Sequence, residues 1–240
     1  MQQLARPSTG DTLNMAGAEL PNLEAYDHWA SSYPPQPHNP LMRAEQRAML
    51  EQWPGVSGAR ALDLACGTGR YGRVLSATGA AEITSVDFSP EMLRRATGPR
   101  RVRANMMRLP FASAVFDTII SGLAVGHASD LQHWMNEVAR VLAPGGSLLY
   151  SDFHPNAAAT GMTRSFVDDE KRRRSVWHFP HALKDHRLAA HNAGLAIEAV
   201  RELRVGHELR ESFPGSPLFY RRWHGLPVVL VIRARKVDAC

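Results

Sequence analysis

The sequence predicts an α/β fold: a doubly wound, mostly parallel sheet with helices on both faces. Two observations lead to this fold class. Between residues 60 and 153, short apolar segments typical of strands alternate with helix-like segments, as in consecutive strand–helix–strand units. One of these strands runs directly into the glycine-rich stretch Cys66–Gly72, and a helix follows. Such a turn is typical of folds that bind a nucleotide at the end of the sheet.

Two helices precede this core. They are predicted over 22–33 and 40–53, and the prolines between them form a stiff link. The strands of the core are predicted at 60–65, 82–87, 101–104, 117–123 and 147–153. The helices between them are expected at 69–78, 90–96 and 130–141. Ser89 before Pro90 is a typical helix start, because serine caps the first turn and proline needs no N–H there.

The regular alternation stops after the fifth strand. Residues 154–180 form a long, polar and basic insertion, which we expect to be a loop, and loops of this length usually serve a function. A helix is predicted over 181–193, ended by Gly194, and a strand over 195–204. A last strand is predicted over 226–236.

The composition is that of a single globular domain. The chain has 240 residues, of which 44% are hydrophobic, enough for one large core. No apolar stretch approaches the ~18 residues that a membrane-spanning helix needs. Residues 1–19 are small and polar, without the apolar core of a signal peptide, and we expect a disordered tail there. Cys66 and Cys240 provide no disulfide framework, which favours a cytoplasmic location.

The net charge of +5 raises the question of an anionic partner. Much of the excess is local, notably in the run Lys171–Arg174. We interpret these residues as solvated loop charge, which is what most such runs are. The alternative is a docking patch for an acidic carrier protein or a nucleic acid.

Gly67, Gly69 and Gly72 form a G-x-G-x-x-G pattern between the first core strand and its helix. Glycine lets the backbone approach a ligand closely, because no Cβ intervenes. About 20 residues further on, the second strand ends in Asp87, where such folds place the carboxylate that binds ribose hydroxyls. Phe88 follows and is placed to stack on an adenine ring. These residues predict an adenosine-containing ligand, and the glycines alone fit NAD as well as S-adenosylmethionine (SAM).

Three further features distinguish between these two cofactors. Asp63 lies inside the first core strand, where a buried carboxylate is costly unless a cationic group meets it, and SAM carries an α-ammonium. Arg108–Phe111 leads through a short turn to Phe116–Ile120. Arg140–Gly146 ends a helix and opens an apolar strand. Together with the glycine turn, these motifs resemble those of the class I SAM-dependent methyltransferases in order and spacing, over about residues 22–236.

The resemblance implies a Rossmann-like sheet of seven strands, with an antiparallel last strand and a helical lid before the core. The lid is expected over residues 20–53 and the SAM-binding core over residues 54–240, which the insertion interrupts. The stretch Tyr26–Tyr33 resembles the lid sequence of small-molecule methyltransferases, in which such a tyrosine reaches the SAM carboxylate. Tyr33 is therefore assigned to the cofactor, and aromatic packing of the lid onto the core is the alternative.

The resemblance also implies further contacts to SAM. Asn105 stands where the family often has aspartate, and its amide oxygen would accept a hydrogen bond from the adenine amino group. Met106 would offer its backbone N–H to the ring. Ser121, at the end of the fourth strand, is expected beside the cofactor.

The methyl acceptor is expected at the carboxyl ends of the strands, where ligands of open α/β sheets bind. His127 follows the fourth strand and His154 the fifth, and each is a candidate general base because histidine titrates near neutral pH. The alternative for each is a hydrogen-bonded loop anchor. Further candidates for acceptor binding are Tyr26, His38, Trp177 and Tyr220. Three other histidines lie on predicted helices and are expected to face solvent: His133, His186 and His191.

These features predict an enzyme that transfers a methyl group from SAM to an O or N atom of a small metabolite. One alternative is carboxyl O-methylation of an acyl group on an acidic carrier protein, because the chain is loosely similar to malonyl-acyl-carrier-protein O-methyltransferases. Another is a SAM-binding protein that does not methylate. No Asn-Pro-Pro-Tyr-like run and no Pro-Cys nucleophile is present, which argues against a nucleic-acid substrate. No zinc spacing or acidic cluster at strand ends is found, so no metal is predicted.

Overall fold

The computed structural model describes residues 18–168, 170–212 and 217–237. Its strands are β1 Ala18–Leu20, β2 Arg60–Leu64, β3 Glu82–Asp87, β4 Arg100–Arg103, β5 Phe116–Ser121, β6 Leu142–Phe153, β7 Ser165–Val167, β8 Arg173–Val176, β9 Leu195–Arg204 and β10 Pro227–Lys236. Its α-helices are α1 Asn22–Trp29, α2 Pro40–Glu51, α3 Arg70–Ala77, α4 Pro90–Arg95, α5 Leu131–Val141, α6 Pro155–Ala159, α7 Leu183–Asn192 and α8 Pro217–Trp223. All strands predicted from the sequence are present, and β6 begins earlier than predicted.

Seven strands form the main sheet, in the order β4–β3–β2–β5–β6–β10–β9. β10 runs antiparallel to both of its neighbours, and the other neighbouring strands are parallel. The predicted doubly wound sheet with an antiparallel last strand is therefore confirmed. The chain builds outward from β2 to β4 and then returns to β5 on the other side of β2. A crevice forms at such a reversal, outside the carboxyl ends of the strands.

The core lies on both faces of this sheet, because side chains alternate along each strand. Along β6, Leu148 and Tyr150 pack with Trp134 of α5 on one face. Leu149 lies on the other face and packs with Met49 of α2. All five side chains are at most 1% exposed. Burying a side chain of this size contributes about 1.5–3 kcal/mol, so these two layers hold the strand ends rigidly in place.

The insertion is not the single loop that the sequence predicted. It contains α6 and the antiparallel pair β7–β8, and β1 adds to β8 in parallel to complete a second, three-stranded sheet. Phe166 and Val176 of this sheet are buried beneath α1. The strands were missed because three or four residues are too few to show a periodic pattern. Residues 18 and 19, expected in the tail, belong to β1, and residues 1–17 lie outside the described ranges.

The two helices of the expected lid have different surroundings. α1 ends at Trp29, earlier than predicted, and lies over the second sheet. α2 packs against the main sheet, and its Met49 and Glu45 are fully buried. Asn39 caps α2 by accepting the Met42 N–H at 2.8 Å. The part of the segment that can cover a ligand is therefore α1 and the proline-rich link.

His186 of α7 is fully buried and lies 3.1 Å from the Tyr150 hydroxyl, so the prediction that it faces solvent was wrong. Two arginines of the basic run in the insertion form ion pairs within the same segment. Arg172 and Arg174 both pair with Asp168, at 3.2 and 2.9 Å.

Within the described ranges, no helix combines the length and apolarity needed to cross a bilayer.

Candidate active site

A cavity opens at the carboxyl ends of β2, β3 and β5, where the sheet order reverses. One side is formed by the glycine turn and the end of β3. The other is formed by α1, the loop after β5 and the start of the insertion. Six of the predicted cofactor residues line it: Tyr33, Asp63, Gly67, Asp87, Phe88 and Met106. Of the predicted acceptor and catalytic residues, Tyr26 and His127 line it.

The glycine turn brings the backbone of Gly67 to the edge of this space. Gly67 has a φ of +55°, and no atom lies within 4 Å of the place where a Cβ would project. Its N–H donates to Asp87 Oδ2 at 2.7 Å, and the Ser89 N–H donates to Asp87 Oδ1 at 2.9 Å. These bonds fix the carboxylate beside the turn, and each oxygen keeps a lone pair for a further donor.

Asp63 lies beneath the turn and is 1% exposed. Its Oδ2 accepts the Gly72 N–H from the first turn of α3 at 2.7 Å. A Cβ on residue 72 would lie 3.2 Å from this oxygen, so glycine allows the close approach. Burial raises the pKa of Asp63 to about 7, with the Gly72 hydrogen bond opposing the shift. A cationic group in the cavity would favour the ionised form of this carboxylate.

The segment that contains α1 and the proline link is pinned across the cofactor side of the cavity. Thr68 Oγ1 donates to the Pro34 carbonyl at 3.2 Å, and Arg73 donates to the Pro35 carbonyl at 2.5 Å. Ser89 also bonds to Asp27 of α1. The glycine turn and the end of β3 therefore hold the covering segment directly.

His127 lies on the acceptor side of the cavity, in a short 3₁₀ turn after β5. Its Nδ1 faces the Trp177 carbonyl at 3.0 Å and must donate there, because a carbonyl only accepts. Nε2 therefore carries the lone pair, and it receives hydrogen bonds from the Tyr26 hydroxyl at 2.7 Å and Arg164 at 2.9 Å. Desolvation and then the Arg164 charge hold the pKa of His127 well below its usual value. The ring is neutral, and its lone pair is occupied.

His154 follows β6 as predicted but does not line the cavity. Its backbone N–H donates to the Val228 carbonyl at 2.9 Å, which turns the chain toward β10. The Nδ1 atom accepts the Asn156 N–H and so caps α6, while Nε2 lies 3.3 Å from Glu202 of β9. These contacts are those of the loop anchor that was the alternative for this residue, and they give the ring no access to the acceptor side.

Several other predicted site residues also lie outside the cavity lining. Gly69 faces the Thr97 backbone, where a Cβ would lie 3.1 Å from the nitrogen. The Asn105 amide oxygen accepts the Met107 N–H at 2.9 Å, and Ser121, the last residue of β5, is fully buried. Gly69 and Asn105 shape turns around the cavity, and Ser121 belongs to the sheet beneath it.

The remaining predicted acceptor contacts have other roles in the described structure. His38 packs edge-on against Trp29 and Tyr33. Trp177 contributes its carbonyl to His127, while its side chain is 45% exposed. Tyr220 packs against His224 of the segment before β10.

Two arginines that were not predicted from the sequence also line the cavity, Arg70 and Arg164. Arg70 forms a buried ion pair with Glu45 at 2.6 Å. Arg164 comes from the insertion and donates to the Leu123 carbonyl and to His127. No local sequence motif could reveal these contacts, because Arg70 and Glu45 lie 25 positions apart in the chain, and Arg164 lies at least 37 positions from its partners. Only the tertiary fold brings them together.

The chemistry of the cofactor side fits SAM. The uncovered Gly67 turn leaves room for a ligand against the backbone, Asp87 presents acceptor lone pairs beside it, and the buried Asp63 carboxylate lacks a cationic partner at salt-bridge distance within the described ranges. Phe88, which is 45% exposed, presents an aromatic face at the same edge. No group of three His, Cys, Asp or Glu side chains in the part of the chain that the structure describes is arranged to hold a metal ion.

Comparisons with curated proteins identify the central part of the chain. A family model described as "Methyltransferase domain" matches residues 62–150. The malonyl-[acyl-carrier protein] O-methyltransferase of Enterobacter lignolyticus is 37% identical over 120 residues, which cover 48% of this chain and 47% of that protein. The demethylmenaquinone methyltransferase of Tropheryma whipplei is 34% identical over 129 residues, covering 51% and 54%. The chain thus spans about half the length of the curated relatives it matches.

Comparison with solved structures extends the likeness to most of the chain. An S-adenosylmethionine-dependent methyltransferase from Mesorhizobium loti is 26% identical and matches with a TM-score of 0.64, covering 80% of this chain and 97% of that one. The predicted cofactor and fold class agree with this match. Residues 62–150 are therefore a methyltransferase domain, and the chain has the α/β fold of the SAM-dependent methyltransferases.

Proposed function

We propose that this protein transfers the methyl group of SAM to a nucleophilic O or N atom of a small acceptor. The observation that carries the proposal is that one cavity joins the Gly67 turn and Asp87 to Tyr26 and His127. A cofactor on the first side and an acceptor on the second would meet inside the protein. Methyl transfer needs this closeness, because the nucleophile must approach the methyl carbon in line with the carbon–sulfur bond.

Five residues are proposed to hold SAM. Asp87 accepts from the ribose hydroxyls, the Asp63 carboxylate meets the α-ammonium, and the Gly67 backbone allows close approach. Phe88 contacts adenine, and Tyr33 contacts the carboxylate end. When bound, SAM supplies an electrophilic methyl group on a sulfonium centre. The methyl–sulfur bond breaks as the methyl–acceptor bond forms, and S-adenosylhomocysteine (SAH) leaves.

The hydrogen bonding of His127 favours an acceptor that needs no general base from the protein. Its Nε2 lone pair already accepts from Tyr26 and Arg164, and its lowered pKa makes it a weak base. His154 has no access to the cavity. The acceptor is therefore proposed to arrive with a free lone pair, as a carboxylate or an uncharged amine does. Positioning and exclusion of water then provide the rate enhancement.

A second candidate is carboxyl O-methylation of an acyl group on a carrier protein. One curated relative carries the name malonyl-[acyl-carrier protein] O-methyltransferase, and a carboxylate nucleophile agrees with the absence of a free base at His127. Arg172 and Arg174 already pair with Asp168, and Arg172 also pairs with Glu170, which weakens the attraction of this run to an acidic carrier. Methylation of an acyl carrier that persists when Arg172 is replaced by glutamine would support it.

The proposal is tested first by calorimetric titration with SAH. Asp87→Ala removes both acceptor oxygens, and it should weaken SAH binding by about 3 kcal/mol, or roughly hundredfold. Asp117→Ala is the matched control, since Asp117 also lies on a strand but pairs with Arg60 at the far end of the sheet. Melting temperatures show whether each variant is folded. Wild-type affinity in Asp87→Ala would refute the ribose assignment.

Turnover is tested by SAH release from SAM with panels of acids, amines and alcohols. SAH release that depends on an acceptor supports the enzyme. Tight SAM binding without release for any acceptor class would favour the third possibility, a SAM-binding protein that does not methylate.

A further inference from the structure

Arg164 places a cation on the acceptor side of the cavity. It comes directly before β7, and its carbonyl accepts the Val176 N–H of β8 at 2.9 Å, which fixes the backbone. The guanidinium lines the cavity together with Tyr26 and His127. One nitrogen, Nη1, donates both to the Leu123 carbonyl and to His127 Nε2.

Leu123 has the unusual backbone conformation that presents this carbonyl. Its φ of +56° lies in the left-handed region, which costs a branched residue free energy. Ser151 stabilises the conformation from β6, because its carbonyl and its hydroxyl both accept the Leu123 N–H, at 3.0 and 2.9 Å. The structure therefore holds one edge of the Arg164 guanidinium firmly in the cavity wall.

Within the described ranges, no carboxylate forms a salt bridge with Arg164, and its charge is felt only more weakly by the buried Asp152 carboxyl, whose pKa it lowers. Its side-chain partners there are one carbonyl and one neutral imidazole. The other arginine in the cavity wall, Arg70, pairs with Glu45 at 2.6 Å. Arg174, from the same insertion, pairs with Asp168. Arg164 thus lacks the ion-pair partner that Arg70 has in the cavity wall and that Arg174 has in the insertion.

The free part of the guanidinium has the geometry to bind a carboxylate. All the hydrogen bonds described for the side chain use Nη1, so Nε and Nη2 remain as two parallel donors. Such an edge binds a carboxylate in bidentate fashion. A phosphate monoester would bring about two negative charges into a cavity that already contains Asp63 and Asp87, while a carboxylate brings one.

We infer that Arg164 binds a carboxylate group of the methyl acceptor, so that the acceptors of this protein are carboxylic acids. The inference rests on the proposed function, because it assigns the acceptor class of the same cavity. Arg164 is then a specificity-determining residue on the acceptor side, and it has no part in holding the cofactor.

The test compares matched acids and amides as ligands of the SAH-saturated protein. Hexanoate with hexanamide, and benzoate with benzamide, differ in charge but little in shape. In at least one pair, calorimetry or competition should show the acid binding roughly tenfold to hundredfold more tightly than the amide. Arg164→Gln should abolish this preference and leave the SAH dissociation constant within about twofold of wild type.

Two further variants sharpen the comparison. Arg164→Lys keeps the charge but loses the two-donor edge, so it should keep only part of the preference. Arg173→Gln is the matched control from the same insertion, because Arg173 lies outside the cavity wall and its side chain faces Ser165. It should bind acids as wild type does. If the melting temperature shows that Arg164→Gln is unfolded, the lysine variant decides the outcome.

Several results would overturn the inference. Equal binding of acid and amide in both pairs would do so, as would a preference that survives in Arg164→Gln. A tenfold loss of SAH affinity in that variant would assign Arg164 to the cofactor carboxylate. Tighter binding of hexyl phosphate than of hexanoate would replace the carboxylate by a phosphate. If the wild-type protein failed to bind SAH, the proposed function would fail, and the acid preference can still be measured without SAH.

Discussion

Replacing Glu45 with leucine should destabilise the protein strongly, although this residue lies outside every sequence motif. Glu45 is fully buried, and its carboxylate accepts three hydrogen bonds. They come from Arg70 at 2.6 Å, the Tyr71 hydroxyl at 2.8 Å and the Ser151 hydroxyl at 2.5 Å. Burial alone would lower the pKa of Arg70, but the Glu45 carboxylate raises it above its usual value. The carboxylate therefore compensates the buried cation.

The expected size of the effect follows from these contacts. Removing one partner of a buried ion pair leaves an uncompensated charge and costs about 3–5 kcal/mol. The two hydroxyl donors left without an acceptor cost about 1 kcal/mol each. A total of about 5–7 kcal/mol is a large part of the stability of a typical domain, about 5–15 kcal/mol. For a chain of this length it corresponds to a fall of roughly 10–30 °C in melting temperature.

Urea unfolding and thermal melting measure this loss. Glu45→Leu combined with Arg70→Met removes both charges, and it should recover about 3 kcal/mol relative to the sum of the single variants. Glu51→Leu is the matched control on the same helix, because Glu51 forms an exposed pair with Arg201 that is worth under about 1 kcal/mol. A loss below about 1 kcal/mol in Glu45→Leu, or strict additivity in the double variant, would refute this account.

Further predictions concern the cofactor side and the insertion. Because burial raises the pKa of Asp63 to about 7, the carboxylate loses its charge as the pH falls, and SAM affinity should fall about tenfold from pH 8 to pH 6, an effect that Asp63→Asn removes. The free energy of unfolding of the SAM-free protein should instead fall as the pH rises from about 4 to about 7, because burial favours the neutral form of Asp63. Urea titrations at several pH values can detect this fall. Gly126→Ala should cost about 1–3 kcal/mol and loosen the insertion, because the new Cβ would lie 1.8 Å from the His178 ring; unchanged melting would show that His178 moves away freely.

The cofactor side of the cavity could be predicted from the sequence because its residues lie in continuous motifs. Asp63 and Gly67 belong to one strand and the turn that follows, and Asp87 ends the next strand. Parallel neighbours bring their carboxyl ends to the same edge, so strand order alone places these groups together. Asp63 and Asp87 lie 24 positions apart in the sequence, yet the order of their strands is enough to predict that they lie at the same edge of the sheet.

The acceptor side could not be predicted in the same way. The rule that ligands bind at strand ends selected both His127 and His154, but only His127 lines the cavity. β6 pairs with β10 as far as Phe153, and the His154 N–H continues toward Val228, so the chain turns away from the cavity at this point. That register depends on β10, which lies more than 70 residues later in the sequence. Arg164 belongs to no sequence motif, because its position in the cavity wall depends on contacts with Leu123 and His127 that form only in the folded protein.

The second sheet explains how residues far apart in the chain form one wall. β1 precedes α1, and β8 belongs to the insertion, and the two strands pair in parallel. Trp29 of α1 stacks on Phe166 of β7, with ring centroids 4.8 Å apart. Tyr26 and Arg164 are therefore positioned by one packed unit, whereas strands of the main sheet position Asp63 and Asp87. The α1 part of the unit also reaches the cofactor side, because Ser89 bonds both to Asp27 of α1 and to Asp87. Under the proposed function, substitutions in β7 and β8 should therefore alter acceptor binding more than cofactor binding, and the insertion contributes to function together with the glycine turn.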